Sequence, residues 1–304
     1  MSIPSRHPEV AEPQPNRSMQ NLNCHPELDS GSSHRGKEGS PLTPTLSRRA
    51  RGKHAAFTLA EVLITLAIIG VVAVMTIPTL ISDYQEKVTV TKVKKAYAAL
   101  NQAYQFAKIE HGPFRTWFTE ASGGFYYDEN ENLVEEESMS NNKVIFFGNL
   151  KPYLRVASEY TKNDSTGKYD KMYYFHGAES VEPMSQAYVL NLADGTTISG
   201  GWIQTLDCTG NDKYCGDFFI DVDGVDAGPN TYGKDIFHFA ITAESFLPMG
   251  VRSNASSQKF PEKCNRLTTE ANNGMACTAW VIENGNMDYL HCDDLDWDTK
   301  TKCN

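Results

Sequence analysis

The chain has no stretch that announces an enzyme. It contains no G-x-S-x-G, no H-E-x-x-H and no phosphate-cradling G-x-x-x-x-G-K. His111, His176, His238 and His291 are scattered rather than set at metal-ligand spacing. No Cys-x-x-Cys pair occurs, and Cys208 and Cys215 are too far apart for one. We therefore expect no catalytic residues and no required cofactor. A basic face is missing too. Residues 1–56 carry eight of the 28 Lys/Arg and five of the 38 Asp/Glu, leaving 20 basic against 33 acidic residues in the rest. That balance excludes nucleic acid as an expected partner, since phosphate binding needs clustered cations.

Residues 1–47 are short of apolar side chains and rich in Pro, Ser, Gly and His, a composition that cannot bury enough surface to fold alone. The basic cluster RRARGKH (Arg48 to His54) follows, and then the composition inverts. FTLAEVLITLAIIGVVAVMTIPTLI, Phe57 to Ile81, contains no Lys or Arg and one acid, Glu61. As a helix, the run to Ser82 spans roughly 38 Å, enough to cross a hydrocarbon core of about 30 Å. It is too long for a signal-peptide core, and the positive cluster ahead of it holds that end in the cytoplasm. Pro78 removes one backbone hydrogen bond near the far end and predicts a kink. A lone carboxylate in such a helix costs on the order of 2.5–3.5 kcal/mol and calls for a partner. Scission between Ala56 and Phe57 would create an α-ammonium four residues before Glu61 on the same helical face; the same group on an adjacent subunit would serve equally.

At these residues the chain resembles the type IV pilin and type II secretion pseudopilin superfamily. A basic leader ends in a small residue, Ala56, where the family usually has Gly. Phe57 follows, Glu61 stands fifth from the cut, and Pro78 closes the apolar run. The resemblance implies cleavage before Phe57 by a membrane prepilin peptidase, N-methylation of Phe57, and pairing of Glu61 with that amine in a filament. Its other implied partners are like subunits and an inner-membrane assembly platform. A 56-residue leader is longer than the family's, which suggests a start codon placed upstream. The size of the chain after the cut favours a minor subunit. The rival reading is an uncleaved single-span anchor carrying a binding module or enzyme.

The expected organisation is a leader (1–56), a spanning helix (57–82), its amphipathic continuation (83–111) and a head domain (112–304). Val93, Tyr97, Leu100, Tyr104 and Ala107 recur at helical spacing, and the helix should stop at His111, Gly112 and Pro113. The acidic stretch Asp128 to Glu137 reads as a solvated loop, and KVIFFGNL as a short element. Four strand-like runs follow: Ala187 to Leu192, returning through Thr197 after a turn on Asp194 and Gly195; DFFIDVDG from Asp217; DIFHFAIT from Asp235; and TAWVIENG from Thr278. The fold class is α+β, a long helix packed on an antiparallel sheet, the layout the resemblance also implies.

Cys24 lies in the leader; Cys208, Cys215, Cys264, Cys277, Cys292 and Cys303 cluster late in the chain and read as disulfides of an exported head, periplasmic or extracellular. Six cysteines allow 15 pairings. Nearest-neighbour pairing closes the shortest loops. Asp221, Asp223, Asp226, Asn230 and Asp235 gather oxygen ligands on a Gly-rich loop suited to Ca2+, although the spacing is not that of an EF-hand. Some pseudopilins hold calcium in such a loop. The alternative is an acidic turn whose Asp side chains cap backbone amides. The tail DYLHCDDLDWDTKTKCN reads as a solvated acidic segment pinned by Cys292 and Cys303.

Overall fold

The computed structural model describes residues 57–304 apart from 120–124, 128, 130–132, 136, 162–171, 179–187, 204–207, 209–212, 225, 254–257 and 304. The leader, including Ala56 and Cys24, therefore lies outside the described residues.

The first element is one helix, α1 (Leu59–His111), of 53 residues. It continues through Pro78 without interruption, and the Thr79 hydroxyl donates to the Thr76 carbonyl beside it. Gly112, at φ 82°, ends it where the His-Gly-Pro cluster predicts. Two solvents divide this helix. Every large apolar residue from Phe57 to Tyr84 stands exposed except one partly covered valine, while Val90, Val93, Ala96, Leu100, Ala103, Tyr104 and Ala107 form a buried stripe.

That stripe packs on a six-stranded antiparallel meander in the order β3 (Val156–Thr161), β4 (Tyr188–Leu192), β5 (Thr197–Ile203), β6 (Gly216–Asp221), β7 (Ile236–Ile241) and β8 (Phe246–Pro248). Before it come a two-stranded ribbon, β1 (Phe125–Tyr127) with β2 (Leu133–Glu135), and helix α2 (Glu137–Leu150). The predicted hairpin is in place: Asn191 pairs with Thr197, Gly195 takes φ 86°, and Asp194 accepts the Thr196 amide. The acidic stretch is not wholly a loop. Leu133 and Val134 carry it into β2, and Glu137 sits in the first turn of α2, where a carboxylate complements the helix dipole. KVIFFGNL belongs to α2, with Asn142, Phe146 and Leu150 buried at helical spacing.

TAWVIENG is a correction. Residues Cys277–Asn284 form helix α3, not a strand. Its β-branched residues suggested β structure, but Gly285 adopts the left-handed conformation and donates to the Val281 carbonyl, which closes a helical turn. Trp280 is fully buried and stacks on Phe260 at 4.4 Å, so burial on every side outweighs propensity. All three nearest-neighbour disulfides form, with Cα separations of 5.2, 5.0 and 5.8 Å.

Helix α1 is held to the sheet chiefly at the β7–β8 turn. Tyr97 donates to the Phe246 carbonyl at 2.9 Å, and Asn101 accepts the Phe246 amide at 3.1 Å. Tyr104 donates to Thr242 at 2.9 Å, while Gln105 and Lys108 reach the Glu244 carbonyl. The Tyr104 ring also stacks on Phe246 at 4.6 Å. Replacing Tyr104 by Ala should cost about 3–5 kcal/mol, as removal of a buried aromatic does. Tyr104→Phe should cost about 1 kcal/mol through the lost hydrogen bond. Chemical denaturation of the full chain in detergent measures both, and equal losses would refute the packing role. Cys264→Ser with Cys277→Ser should cost about 3 kcal/mol by loop-closure entropy, read in the same assay.

Candidate assembly and processing site

The sequence leaves Glu61 in want of a partner, and the fold supplies one within the chain. Thr58 is the N-cap of α1, and Glu61 is the third residue of its first turn. The Glu61 amide donates to Thr58 Oγ1 at 3.2 Å, while Glu61 Oε2 accepts from the Thr58 amide at 2.8 Å and its hydroxyl at 2.9 Å. This is a reciprocal capping box. Its signature, Thr-x-x-Glu ahead of an apolar run, stands in the sequence and was the signal available for Thr58. One carboxylate oxygen carries both bonds from Thr58, leaving capacity for a further donor. Phe57 precedes the helix and is 84% exposed. Beyond Glu61 the apolar surface is continuous, and the α1 span is long and apolar enough to cross a membrane with none of its most apolar window buried in the fold. Water is the wrong solvent for such a face.

The predicted calcium ligands are only partly brought together. Asp221 closes β6 in full burial, whereas Asp223 and Asp226 are exposed. Asp221 Oδ1 accepts the amides of Asp223 at 3.2 Å and Gly224 at 2.9 Å, and Asp235 accepts the Thr231 amide. Asn230 is buried, and its backbone carbonyl accepts from Tyr173. Among the described residues no three of His, Cys, Asp or Glu are grouped so as to hold a metal ion. The geometry is that of carboxylates capping their own turn, the second of the two sequence readings. Calcium has no part in the function proposed below.

Burial, with the Asp223 carboxylate beside it, holds the Asp221 carboxyl well above the ordinary range, and burial pushes Asp235 up to about 7. A carboxyl raised on folding stabilises the fold fully below its unfolded value, 3.8, and that contribution is lost as pH rises through the folded one. In EDTA, the thermal midpoint of the full chain should fall by several degrees between pH 5 and pH 8 on this account. Asp235→Asn should flatten the slope; a wild-type profile already flat would contradict the assignment.

The histidines serve packing and pairing. His238 Nε2 lies 3.1 Å from Asp217 Oδ2 in the interior, and His291 Nε2 lies 2.9 Å from Glu86 on α1. Asp217, which no sequence pattern picks out, also accepts the Trp202 amide at 2.7 Å and the Tyr214 hydroxyl. Its carboxylate occupies the space where a side chain on Gly201 would sit. In the tail, Asp293, Asp294 and Asp298 pair with Arg266, Lys300 and Arg252. Trp297 anchors it on Phe260 and Trp280.

Two family comparisons bear on these features. Residues 79–285, more than half of the chain, match a family described as a family of unknown function, DUF6613. The chain belongs to that family. Residues 51–77 match the prokaryotic N-terminal methylation motif, which contains Ala56, Phe57 and Glu61 and ends one residue before Pro78. That match supports a type IV pilin-like or pseudopilin-like protein. No curated protein and no solved structure matches the chain. Within DUF6613 the matched region begins at Thr79, so the family embraces the end of the apolar run, the buried half of α1, the sheet and α3.

Proposed function

We propose that this DUF6613 protein is a filament subunit of the pilin type, made as a membrane-inserted precursor. A prepilin peptidase cuts between Ala56 and Phe57 and methylates the new amine. The leader end faces the cytoplasm, as the basic residues Arg48, Arg49, Arg51 and Lys53 require, and the disulfide-bonded head lies on the exported side. The span is then drawn from lipid into a bundle of like helices through an inner-membrane platform, in a pilus or secretion pseudopilus. Its function is mechanical rather than catalytic, and the size of the chain favours a minor place in the filament.

The observation that carries this reading is the N-terminal methylation motif lying across the start of a helix whose apolar residues are uncovered through five turns and more. Glu61 has two tasks in it. Within one chain it caps α1 through Thr58. In the bundle its charge meets the methylated ammonium of a neighbouring Phe57. Lipid tails are as apolar as the helix, so a charge pair at the helix start supplies orientation and register that apolar contact alone does not.

The two tasks are separable. Glu61→Gln keeps the capping-box acceptor and removes the charge; it should insert and fold normally yet fail to enter filaments. Thr58→Ala should weaken the cap by about 1 kcal/mol and leave assembly intact. Mass spectrometry of the protein recovered from its membrane should find methylated Phe57 at the N-terminus. Filaments built from Glu61→Gln protein, or a functional protein still carrying its leader, would defeat the proposal.

A further inference from the structure

Where α1 leaves its apolar stretch, the head closes over one side of it around an open cavity of roughly 450 Å³. Ser82, the last residue of the apolar run, lies at its edge, and Tyr84, Glu86 and Lys92 line it from the helix. Asp223, Lys234 and Asp235 line it from the head. Ser82 to Lys92 spans about 15 Å along the helix axis. The headgroup layer outside the hydrocarbon core is about 5–7 Å deep on each side. With the span in a bilayer, the lower part of this cavity therefore stands among the headgroups.

Its lining carries both signs of charge. Lys92 is fixed by donating to the Val222 carbonyl at 2.7 Å, which leaves two of its three N–H donors. Lys234 is exposed and reaches over the Phe175 ring. Opposite them are Asp223, also exposed, Asp235, and Glu86, which His291 holds at 2.9 Å. A purely anionic group would meet these carboxylates unfavourably, and a purely cationic one the lysines. Tyr84, 67% exposed at the same level, offers the amphipathic ring that suits a membrane interface.

We infer that this cavity is a binding site for the headgroup of a zwitterionic phospholipid with a primary ammonium: Lys92 and Lys234 take the phosphate, and Glu86, Asp223 and Asp235 take the ammonium. The inference rests on the membrane-spanning reading of α1. Bound this way, the lipid fixes the height and rotation of the head above the bilayer while the subunit waits in the membrane. Choline headgroups lack the N–H donors for the carboxylates, and glycerol headgroups lack the cation.

The test uses the full chain in neutral detergent, offered equal amounts of phosphatidylethanolamine, phosphatidylcholine and phosphatidylglycerol, with retained lipid counted by native mass spectrometry. Phosphatidylethanolamine should be retained about fivefold over either competitor, the scale of one partly solvated charge pair. Lys234→Gln and Asp223→Asn change exposed side chains and should keep the fold, and each should bring the ratio close to one. Equal retention by the wild type, a preference for phosphatidylglycerol, or a preference unchanged in both variants would overturn the inference. Carbonate washing of the same protein in vesicles tests the anchor separately. Extraction of the wild type overturns both readings, whereas an integrated protein without headgroup preference overturns this one alone.

Discussion

The whole molecule depends on one helix being continuous across a change of solvent. Over its first half α1 has no buried residue, and over its second half it supplies the central stripe of the core. A helix of 53 residues is about 80 Å long, and an isolated one gains most of its stability from what covers its faces rather than from propensity. The head covers the second half with the β7–β8 turn, α2 and the edge of α3. Lipid or like helices must cover the first. Because the backbone continues through Pro78 and into the buried stripe, any force on the apolar half is transmitted directly to the sheet. This mechanical coupling is what a subunit moved from membrane to filament requires.

The clamp at the β7–β8 turn shows how that coupling is secured. Apolar packing alone is tolerant of sliding, since a helix displaced by one turn presents a similar surface. Hydrogen bonds from Tyr97, Asn101, Tyr104, Gln105 and Lys108 to a single turn are not tolerant, because each backbone group has one correct partner. The Lys92 bond to Val222 and the His291 pairing with Glu86 fix the other end of the buried half. Register along about 25 Å of helix is thus set by polar contacts while the apolar stripe supplies most of the stability.

The parts legible from sequence are those where one period or one residue type decides the structure. Val93, Leu100, Tyr104 and Ala107 show helical spacing unaided, and Asp194 with Gly195 marks a turn whose geometry only a few residues adopt. The six late cysteines pair as their short separations suggest. Strands β3 and β8 were missed because their identity lies in their partners: Val156 and Phe246 read as strand only once Leu192 and Ile241 are beside them. Helix α3 was misread for the complementary reason. Thr278, Trp280, Val281 and Ile282 favour strands by propensity, and only tertiary burial against Phe260 and the cap at Gly285 settle them as helix.

Glu61 shows why a motif can be legible while its physics is not. As a charged exception in an apolar run it pointed to a cation, and that argument treated the carboxylate as having nothing closer to bind. The helix start itself is electropositive, with amides left over from the hydrogen-bond ladder. A carboxylate three residues in is therefore partly satisfied before any neighbour arrives. The partial satisfaction matters for assembly. A fully unpaired carboxylate would resist insertion as a monomer, and a fully paired one would have no reason to seek a neighbour. Capping lowers the first barrier while the net charge persists, so the residue can reside in the membrane and still be drawn to an ammonium there.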